Sequence, residues 1–299
     1  YFNGFQPHQP HLHMSVTKSF VGTLTGILIE RGMLDEDGPV TDVLPELAGS
    51  AYDGATLRHV LDMTVDTDYT EDYEDPACDS AMLDAACGWR PAVNPDAPDN
   101  MRDFLKTVRP GGGAHGAVFH YVSAHTNVLG WALERASGLA FADLLSREIW
   151  QPMGAEFDAY VAVDRLGASQ TDGGLCVTLR DLARFGQLHL HDGVLNGRRI
   201  VPFEWIRDIR DNGDREAWAK GSFVDYFPHA RYRSKWYMMG DAHDAAFGIG
   251  IHGQTVYVDQ AAGMVIAKLS THARPLDDKL FDDMFCAFAA IGHHLAENG

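Results

Sequence analysis

Cysteine is scarce in this chain, and its spacing excludes two structural classes. The four cysteines show neither the C-x-x-C spacing of a zinc site nor the density of a disulfide-rich scaffold; they are Cys78, Cys87, Cys176 and Cys286. We therefore predict free thiols in a reducing compartment, and the expected location is cytoplasmic.

Basic residues and long apolar runs are also in short supply. Lys and Arg total 24 against 42 Asp and Glu, for a net charge of −18, and so acidic a surface repels nucleic acid and anionic lipid. No apolar run of about 18 residues is free of charged or polar breaks, so we predict no membrane span. No signal peptide is recognisable. A small molecule remains as the expected partner, and the oligomeric state stays open, with a dimer as one alternative.

Two patterns fall short of a cofactor motif. Gly111-Gly112-Gly113 fits neither the phosphate-loop nor the dinucleotide pattern, so we interpret it as a turn. His11 and His13 form a His-x-His pair, but no third ligand follows at a recognisable spacing. We predict neither a metal nor another cofactor.

The strongest chemical signal is the stretch 13–32, which reads as a helix that is apolar nearly all round and therefore buried. Ser15 and Lys18 are three residues apart, so they share one face of that helix. Burial is expected to lower the pKa of Lys18, and an uncharged amine could then take the proton of the Ser15 hydroxyl. The alternative is an ordinary helix start with an exposed lysine.

Helical patterns fill the middle of the chain, and strand patterns gather near its end. We predict a short helix capped by Thr56, further helices at 101–108, 124–136, 178–191, 202–209 and 276–296, and strands at 119–123, 247–252, 255–259 and 264–269. Ser123 is expected to cap the helix that follows it. The acidic stretch 66–79 predicts a surface loop at a pocket rim, and 211–241 a pocket cover.

This order of elements predicts an α+β fold, an antiparallel sheet flanked by helices plus an all-helical region. Residues 1–40 and 241–299 are expected to form the sheet region with the nucleophile helix. Residues 41–240 are expected to form a mainly helical region with pocket loops.

Three motifs in order give a family resemblance. With Ser15-x-x-Lys18, Tyr121-x-Ser123 and Ile251-His252-Gly253-Gln254, the chain resembles the serine β-lactamase and penicillin-recognising superfamily, and most of all its class C-type esterase branch. Connecting segments such as ATLRHVLDMT and NVLGWALERASG match as well, and the resemblance covers about 15–269. The Tyr-x-Ser and His-Gly-Gln forms are similar to those of the 6-aminohexanoate-dimer hydrolases, which cut a linear nylon-oligomer amide.

The resemblance implies roles for single residues. Ser15 would be the nucleophile, Lys18 its base, and Tyr121 the group that relays a proton to the leaving atom. The backbone amides of Ser15 and Ile251 would form the oxyanion hole. The predicted substrate-binding residues are Tyr73, Asp84, Ser123 and His252; Tyr73 would close over the substrate, and Asp84 would hold its free amine.

The chain also departs from the superfamily. Ser123 stands where Tyr-x-Asn has asparagine, and His252 replaces the lysine of Lys-Thr-Gly, so penicillin hydrolysis is not expected. Only fourteen residues precede Ser15, whereas superfamily members have a helix and strands there. We therefore expect the N-terminal part of the sheet to be missing from this chain, as in a fragment of a longer one.

The predicted function is that of a serine hydrolase acting through an acyl-enzyme on a small amide or ester. A short-chain carboxylesterase of the β-lactamase family is one alternative. A catalytically silent binding or scaffold module with the same fold is the alternative from another class.

Overall fold

The computed structural model describes residues 1–92 and 94–298. Its helices are α1 Thr17–Glu30, α2 Val40–Val43, α3 Leu57–Leu61, α4 Asp79–Ala86, α5 Met101–Leu105, α6 Ala124–Ser137, α7 Phe141–Leu145, α8 Leu179–Leu190, α9 Phe203–Asp211, α10 Arg215–Ala219 and α11 Asp278–Asn298. Its strands are β1 His11–Leu12, β2 Tyr160–Val161, β3 Leu175–Val177, β4 Val194–Leu195, β5 Arg198–Arg199, β6 Arg231–Arg233, β7 Trp236–Met238, β8 Ala246–Gly250, β9 Gln254–Asp259 and β10 Met264–Lys268.

The largest sheet has five antiparallel strands in the order β10-β9-β8-β7-β6. Strand β9 is buried along its whole length, because helices cover both of its faces. Gly186 of α8 lies against Val256, while Met284 of α11 accepts a hydrogen bond from Thr255. A strand covered on both faces needs apolar side chains on both, which the run Val256-Tyr257-Val258 supplies.

Helix α1 runs through the core. Its residues from Thr17 to Leu28 are all buried, as the apolar pattern around the whole helix predicts. Phe20 stacks on Phe185 of α8 with 3.6 Å between ring centroids, which ties α1 to the helix that covers the sheet. The predicted helix 13–32 is thus confirmed from Thr17, although Ser15 lies in the 3₁₀ turn Met14–Val16 that leads into it.

The close approach of α1 to the sheet depends on Gly22. A Cβ at this position would lie 2.1 Å from the backbone oxygen of Ser234, between β6 and β7. We expect Gly22→Ala to lower the free energy of unfolding by about 1–3 kcal/mol, since such overpacking outweighs the gain of about 1 kcal/mol in helix propensity. Urea unfolding would measure this. The matched control is Gly49→Ala, where a Cβ has open space and only the positive φ of 79° is unfavourable.

Two helices of the helical region have clear caps. Thr56 caps α3 in a reciprocal capping box with His59. Helix α6 is buried from Ala124 to Leu133 and ends at Gly138, whose φ of 68° is left-handed. Among the residues that the structure describes, no helix is both long enough and apolar enough to cross a membrane.

Some predicted elements are wrong. Residues 119–123 do not form a strand, because their backbone bonds to helix α10 and to a turn, with Phe119 donating to Ala217 O and His120 to Met63 O. Ser123 does not cap α6 through its side chain. The stretch 211–241 contains strands β6 and β7, so the sheet begins before the predicted boundary at residue 241.

Candidate active site

Ser15 lies where the end of β8 meets the start of α1. The residue before it, Met14, has a left-handed φ of 51°, which turns the chain sharply into the helix. Gly250 at the end of β8 packs against this turn, since a Cβ there would lie 2.4 Å from His13 O and 3.0 Å from Ser15 N. Ser15 itself is partly exposed, so its hydroxyl is accessible from the cleft.

The side chain of Lys18 is buried, and its amine donates three hydrogen bonds. The acceptors are Ser15 Oγ at 2.8 Å, Ser123 Oγ at 3.1 Å and Asp172 O at 2.7 Å. An ammonium has three donors, so this set of acceptors satisfies a protonated lysine. The predicted contact between Ser15 and Lys18 is confirmed.

The predicted lowering of the Lys18 pKa is wrong. Burial does lower the pKa, but interaction with the ionised form of Tyr121 and with the carboxylates of Asp172 and Glu71 raises it by more, and the net shift is upward. The sequence places none of these groups next to Lys18. In the resting protein Lys18 is therefore an ammonium.

Tyr121 completes the group around Ser15. The Lys18 amine lies 5.2 Å from the centroid of the Tyr121 ring, and Ser15 and Tyr121 line the same pocket. Burial raises the pKa of Tyr121, and the nearby charge of Lys18 and hydroxyl of Ser15 oppose the rise without cancelling it. The structure thus brings together the three residues that the resemblance implies.

Glu71 is a member of the site that the sequence reasoning missed. Its Oε2 accepts a hydrogen bond of 2.6 Å from the backbone amide of Ser123, and its Oε1 accepts from the Ser123 hydroxyl and, at 2.8 Å, from Tyr73. Because Ser123 is held by Glu71 and by Lys18, its hydroxyl is not available to cap α6. The one available signal was that the acidic stretch 66–79 contains tyrosines that would be unusual in solvent.

The third motif leaves the sheet at the same place. Ile251 and His252 follow β8 in a 3₁₀ turn, in which His252 has a left-handed φ of 63°. His252 donates from Nδ1 to His272 O at 2.8 Å and from its backbone amide to Pro275 O at 2.9 Å. These bonds hold the chain after β10 across the cleft, and Ile251 lies beside Ser15 on its wall.

Two pockets meet at Ser15. The first, called here the acidic pocket, has a volume of about 1070 Å³, partly open to solvent, and contains the carboxyl groups Glu71, Asp72, Asp84 and Asp172. Tyr73, Ser123 and His252 also line it. All four predicted substrate-binding residues therefore lie around one pocket, although no ligand contact defines their roles.

The electrostatics of the acidic pocket centre on two carboxyl groups. Burial, with the charges of Asp172 and Glu71, raises the pKa of Asp84 to about 7, and Arg90 and Lys18 oppose this rise. Asp172 is 6% exposed, its pKa is also raised by burial, and its Oδ1 has no partner among the described residues. A cation in this pocket would relieve both carboxyl groups.

The second, called here the aromatic pocket, shares Ser15, Tyr73, Ile251 and Pro275 with the acidic pocket and has a volume of about 690 Å³, partly open to solvent. Its side chains are mainly aromatic or apolar: Tyr121, Phe223, Tyr226, Tyr237, Phe281 and Met284. Among residues 1–92 and 94–298 no group of three or more His, Cys, Asp or Glu could hold a metal ion.

A serine hydroxyl held by a buried lysine and lying beside a tyrosine, at the end of an antiparallel sheet and open to a cleft, defines a serine hydrolase. The chain belongs to the Beta-lactamase family, whose profile matches residues 2–290. It is 42% identical over 275 residues to a 6-aminohexanoate-dimer hydrolase of Paenarthrobacter ureafaciens, covering 92% of this chain and 69% of that protein.

Two solved structures are also similar to this chain. A Bacillus anthracis protein, provisionally assigned as a 6-aminohexanoate-dimer hydrolase, superposes with a TM-score of 0.89 at 31% identity, over 99% of this chain and 76% of that one. A family VIII carboxylesterase shares the fold with a TM-score of 0.67 at 15% identity, over 94% of this chain and 84% of that one. The predicted family, the α+β fold class and the serine hydrolase are thereby confirmed.

Proposed function

We propose that this hydrolase cleaves small amides and esters whose acyl group ends in an ammonium, with 6-aminohexanoyl compounds as the representative substrates. The observation that carries this proposal is the position of Ser15 at the mouth of the acidic pocket, with Asp84 and the unpartnered Oδ1 of Asp172 in the same pocket. The names of the relatives from Paenarthrobacter ureafaciens and Bacillus anthracis point to the same substrate class.

In the proposed reaction Ser15 Oγ attacks the carbonyl carbon while its proton passes to the Lys18–Tyr121 pair. The backbone amides of Ser15 and Ile251 are the proposed donors to the oxyanion, an arrangement worth about 10²–10³ in rate per donor where it has been tested. Tyr121 then gives a proton to the leaving nitrogen or oxygen. Water attacks the acyl-enzyme, the pair takes the proton of that water, and Ser15 leaves as the free hydroxyl.

Because Lys18 is an ammonium at rest, the base in this proposal is the pair rather than the amine alone. The pair must lose one proton before it can accept one from Ser15, and the apparent pKa of that loss belongs to both groups together. Glu71 is proposed to position Ser123 and Tyr73 around the pair, since it contacts both hydroxyl groups.

A second candidate function is that of a short-chain carboxylesterase. The aromatic pocket favours it, because an apolar alcohol or phenol fits such a lining without any charged partner. Esters and amides need the same nucleophile and oxyanion donors, so both activities are expected on one site.

A substitution at Asp84 distinguishes the two candidate functions. We expect Asp84→Asn to reduce kcat/KM for the 6-aminohexanoate dimer by about 10–100-fold, mainly through KM, because a charge-assisted hydrogen bond to the ammonium is worth about 1.5–3 kcal/mol. Turnover of p-nitrophenyl butyrate should change by less than about threefold. Asp143→Asn, which removes an exposed charge on α7, is the matched control.

The same carboxyl group gives a pH test. Asp84 has a pKa of about 7 in the free protein, so it is neutral below this pH and charged above it. KM for the dimer should therefore rise as the pH falls below about 7, and Asp84→Asn should remove this dependence. Equal losses on ester and dimer, or a KM that does not respond to pH, would count against Asp84 as the ammonium ligand.

We also propose a reducing compartment such as the cytoplasm. Its support is that all four cysteines are free, including the two buried ones, Cys78 and Cys87.

A further inference from the structure

The aromatic pocket is not used by the ammonium of the proposed acyl group, and its position shows which part of a substrate it would take. Two groups extend from a scissile carbonyl in opposite directions, the acyl chain and the leaving group. If the acyl chain lies in the acidic pocket, the aromatic pocket is the other space that opens at Ser15, and the leaving group would extend into it. There it meets Tyr121, the proposed proton donor, at the wall of the aromatic pocket.

The charges around the aromatic pocket restrict what can bind there. Among the residues that the structure describes, its acidic lining residues are Asp277 and Asp278, at the start of α11. Asp277 accepts a hydrogen bond from the backbone amide of Leu280, and Asp278 accepts one of 2.8 Å from the hydroxyl of Tyr226. Both carboxylates are therefore held in place beside the aromatic side chains.

Among the described residues, no cation forms an ion pair with Asp277 or Asp278. The Lys18 ammonium lies beside Tyr121, another lining residue, 5.2 Å from the centroid of its ring. His272 lines the pocket, but burial and the charge of Lys268 lower its pKa, so the ring is neutral at neutral pH. Lys268 is outside the lining and donates to Gly253 O at 2.9 Å. Arg274 is also outside it and forms an ion pair of 3.0 Å with Glu74.

We propose that the aromatic pocket is a leaving-group site for uncharged alkyl or aryl groups, and that it discriminates against leaving groups that end in a carboxylate. This inference rests on the proposed function, because it assigns the acyl group to the acidic pocket. It implies that the 6-aminohexanoate dimer, whose leaving half ends in a carboxylate, is a poorer ligand than a neutral amide of the same length.

The test compares two compounds that differ only at one end. N-hexyl-6-aminohexanamide and the 6-aminohexanoate dimer share the acyl group and the five methylenes next to the leaving nitrogen, and end in a methyl group and a carboxylate respectively. Binding is measured by calorimetry with the Ser15→Ala variant, so that no turnover is needed. We expect the neutral amide to bind at least about tenfold more tightly, since the carboxylate of the dimer would lie close to two side chains of the same charge.

Removing the charges of Asp277 and Asp278 tests whether they cause the difference in affinity between the two compounds. The double variant Asp277→Asn/Asp278→Asn, made in the Ser15→Ala background, keeps both hydrogen-bond acceptors and should reduce the tenfold ratio to about threefold or less. The control Asp282→Asn/Asp283→Asn removes two charges from the same helix outside the pocket lining and should keep most of the ratio. Higher salt should also reduce the ratio in the parent variant.

Equal binding of the two compounds, tighter binding of the dimer, or a ratio that the Asp277→Asn/Asp278→Asn change leaves intact would overturn the leaving-group site. Failure of the proposed function is a different result. It would appear as no Ser15-dependent hydrolysis of either compound by the unmodified protein, and the binding ratio would still be measurable.

Discussion

Replacing Ser15 by alanine is expected to reduce kcat/KM for p-nitrophenyl butyrate by about 10⁴-fold or more. The reason is that, among the described residues, the other hydroxyl groups around Ser15 have other partners or roles. That of Ser123 is held by Glu71 and Lys18, that of Tyr73 donates to Glu71, and that of Tyr121 is the proposed acid. Loss of a catalytic nucleophile in other serine hydrolases has effects of this size. Steady-state kinetics with purified protein would measure the loss.

Covalent labelling checks the same residue independently. A fluorophosphonate probe should add one adduct to the unmodified protein, on the peptide that contains Ser15, and none to Ser15→Ala. The control is Ser19→Ala, one turn further along α1, whose hydroxyl donates to Lys235 O at 3.0 Å inside the core. Absence of any Ser15-dependent labelling or turnover would leave the binding module as the better account of this chain. Full labelling or activity in Ser15→Ala would mean that another residue is the nucleophile.

The contact between Ser15 and Lys18 could be predicted from sequence because it is local. A spacing of three residues at a helix start places two side chains on one face, whatever the rest of the fold does. The late strands were also predictable, since β8, β9 and β10 follow one another through short turns and pair with their neighbours in the chain. Here local pattern and tertiary structure agree.

Glu71 could not be predicted because its partner is distant in sequence. The contact to Ser123 spans 52 residues and depends on the path of an acidic loop without regular structure. The prediction that Ser123 caps α6 was wrong for the same reason, because its hydroxyl is hydrogen-bonded to Lys18 and Glu71 instead. Strands β6 and β7 were missed because each has only three residues, too few for an alternating pattern.

The sign of the Lys18 pKa shift was the largest error, and it changes the expected pH dependence. Burial alone would lower the pKa of the amine, but Tyr121, Asp172 and Glu71 raise it instead. With the pKa of Tyr121 raised as well, the pair keeps both protons at neutral pH. We therefore expect kcat/KM for a neutral ester to rise with pH above neutrality, because only the pair that has lost one proton can act as the base.

Removing the amine tests this account most directly. We expect Lys18→Met to reduce kcat/KM for p-nitrophenyl butyrate by about 10²–10⁴-fold, the usual range for a general base. The rate that remains should also rise at a higher pH than in the unmodified protein. Lys18 lowers the pKa of Tyr121, so without its charge the phenol loses its proton later. A pH–rate profile measures both effects.

The control for a purely structural loss is Lys235→Met. Lys235 is the other lysine buried in the core near α1, and its amine donates to Val60 O at 2.7 Å, away from Ser15. Burial and the charge of Lys18 lower its pKa, so its removal takes no ammonium from the site. Lys235→Met should therefore change the free energy of unfolding without shifting the pH at which kcat/KM rises. If both variants lost activity equally with unshifted profiles, Lys18 would be a structural residue, and Tyr121 or water would have to act as the base alone.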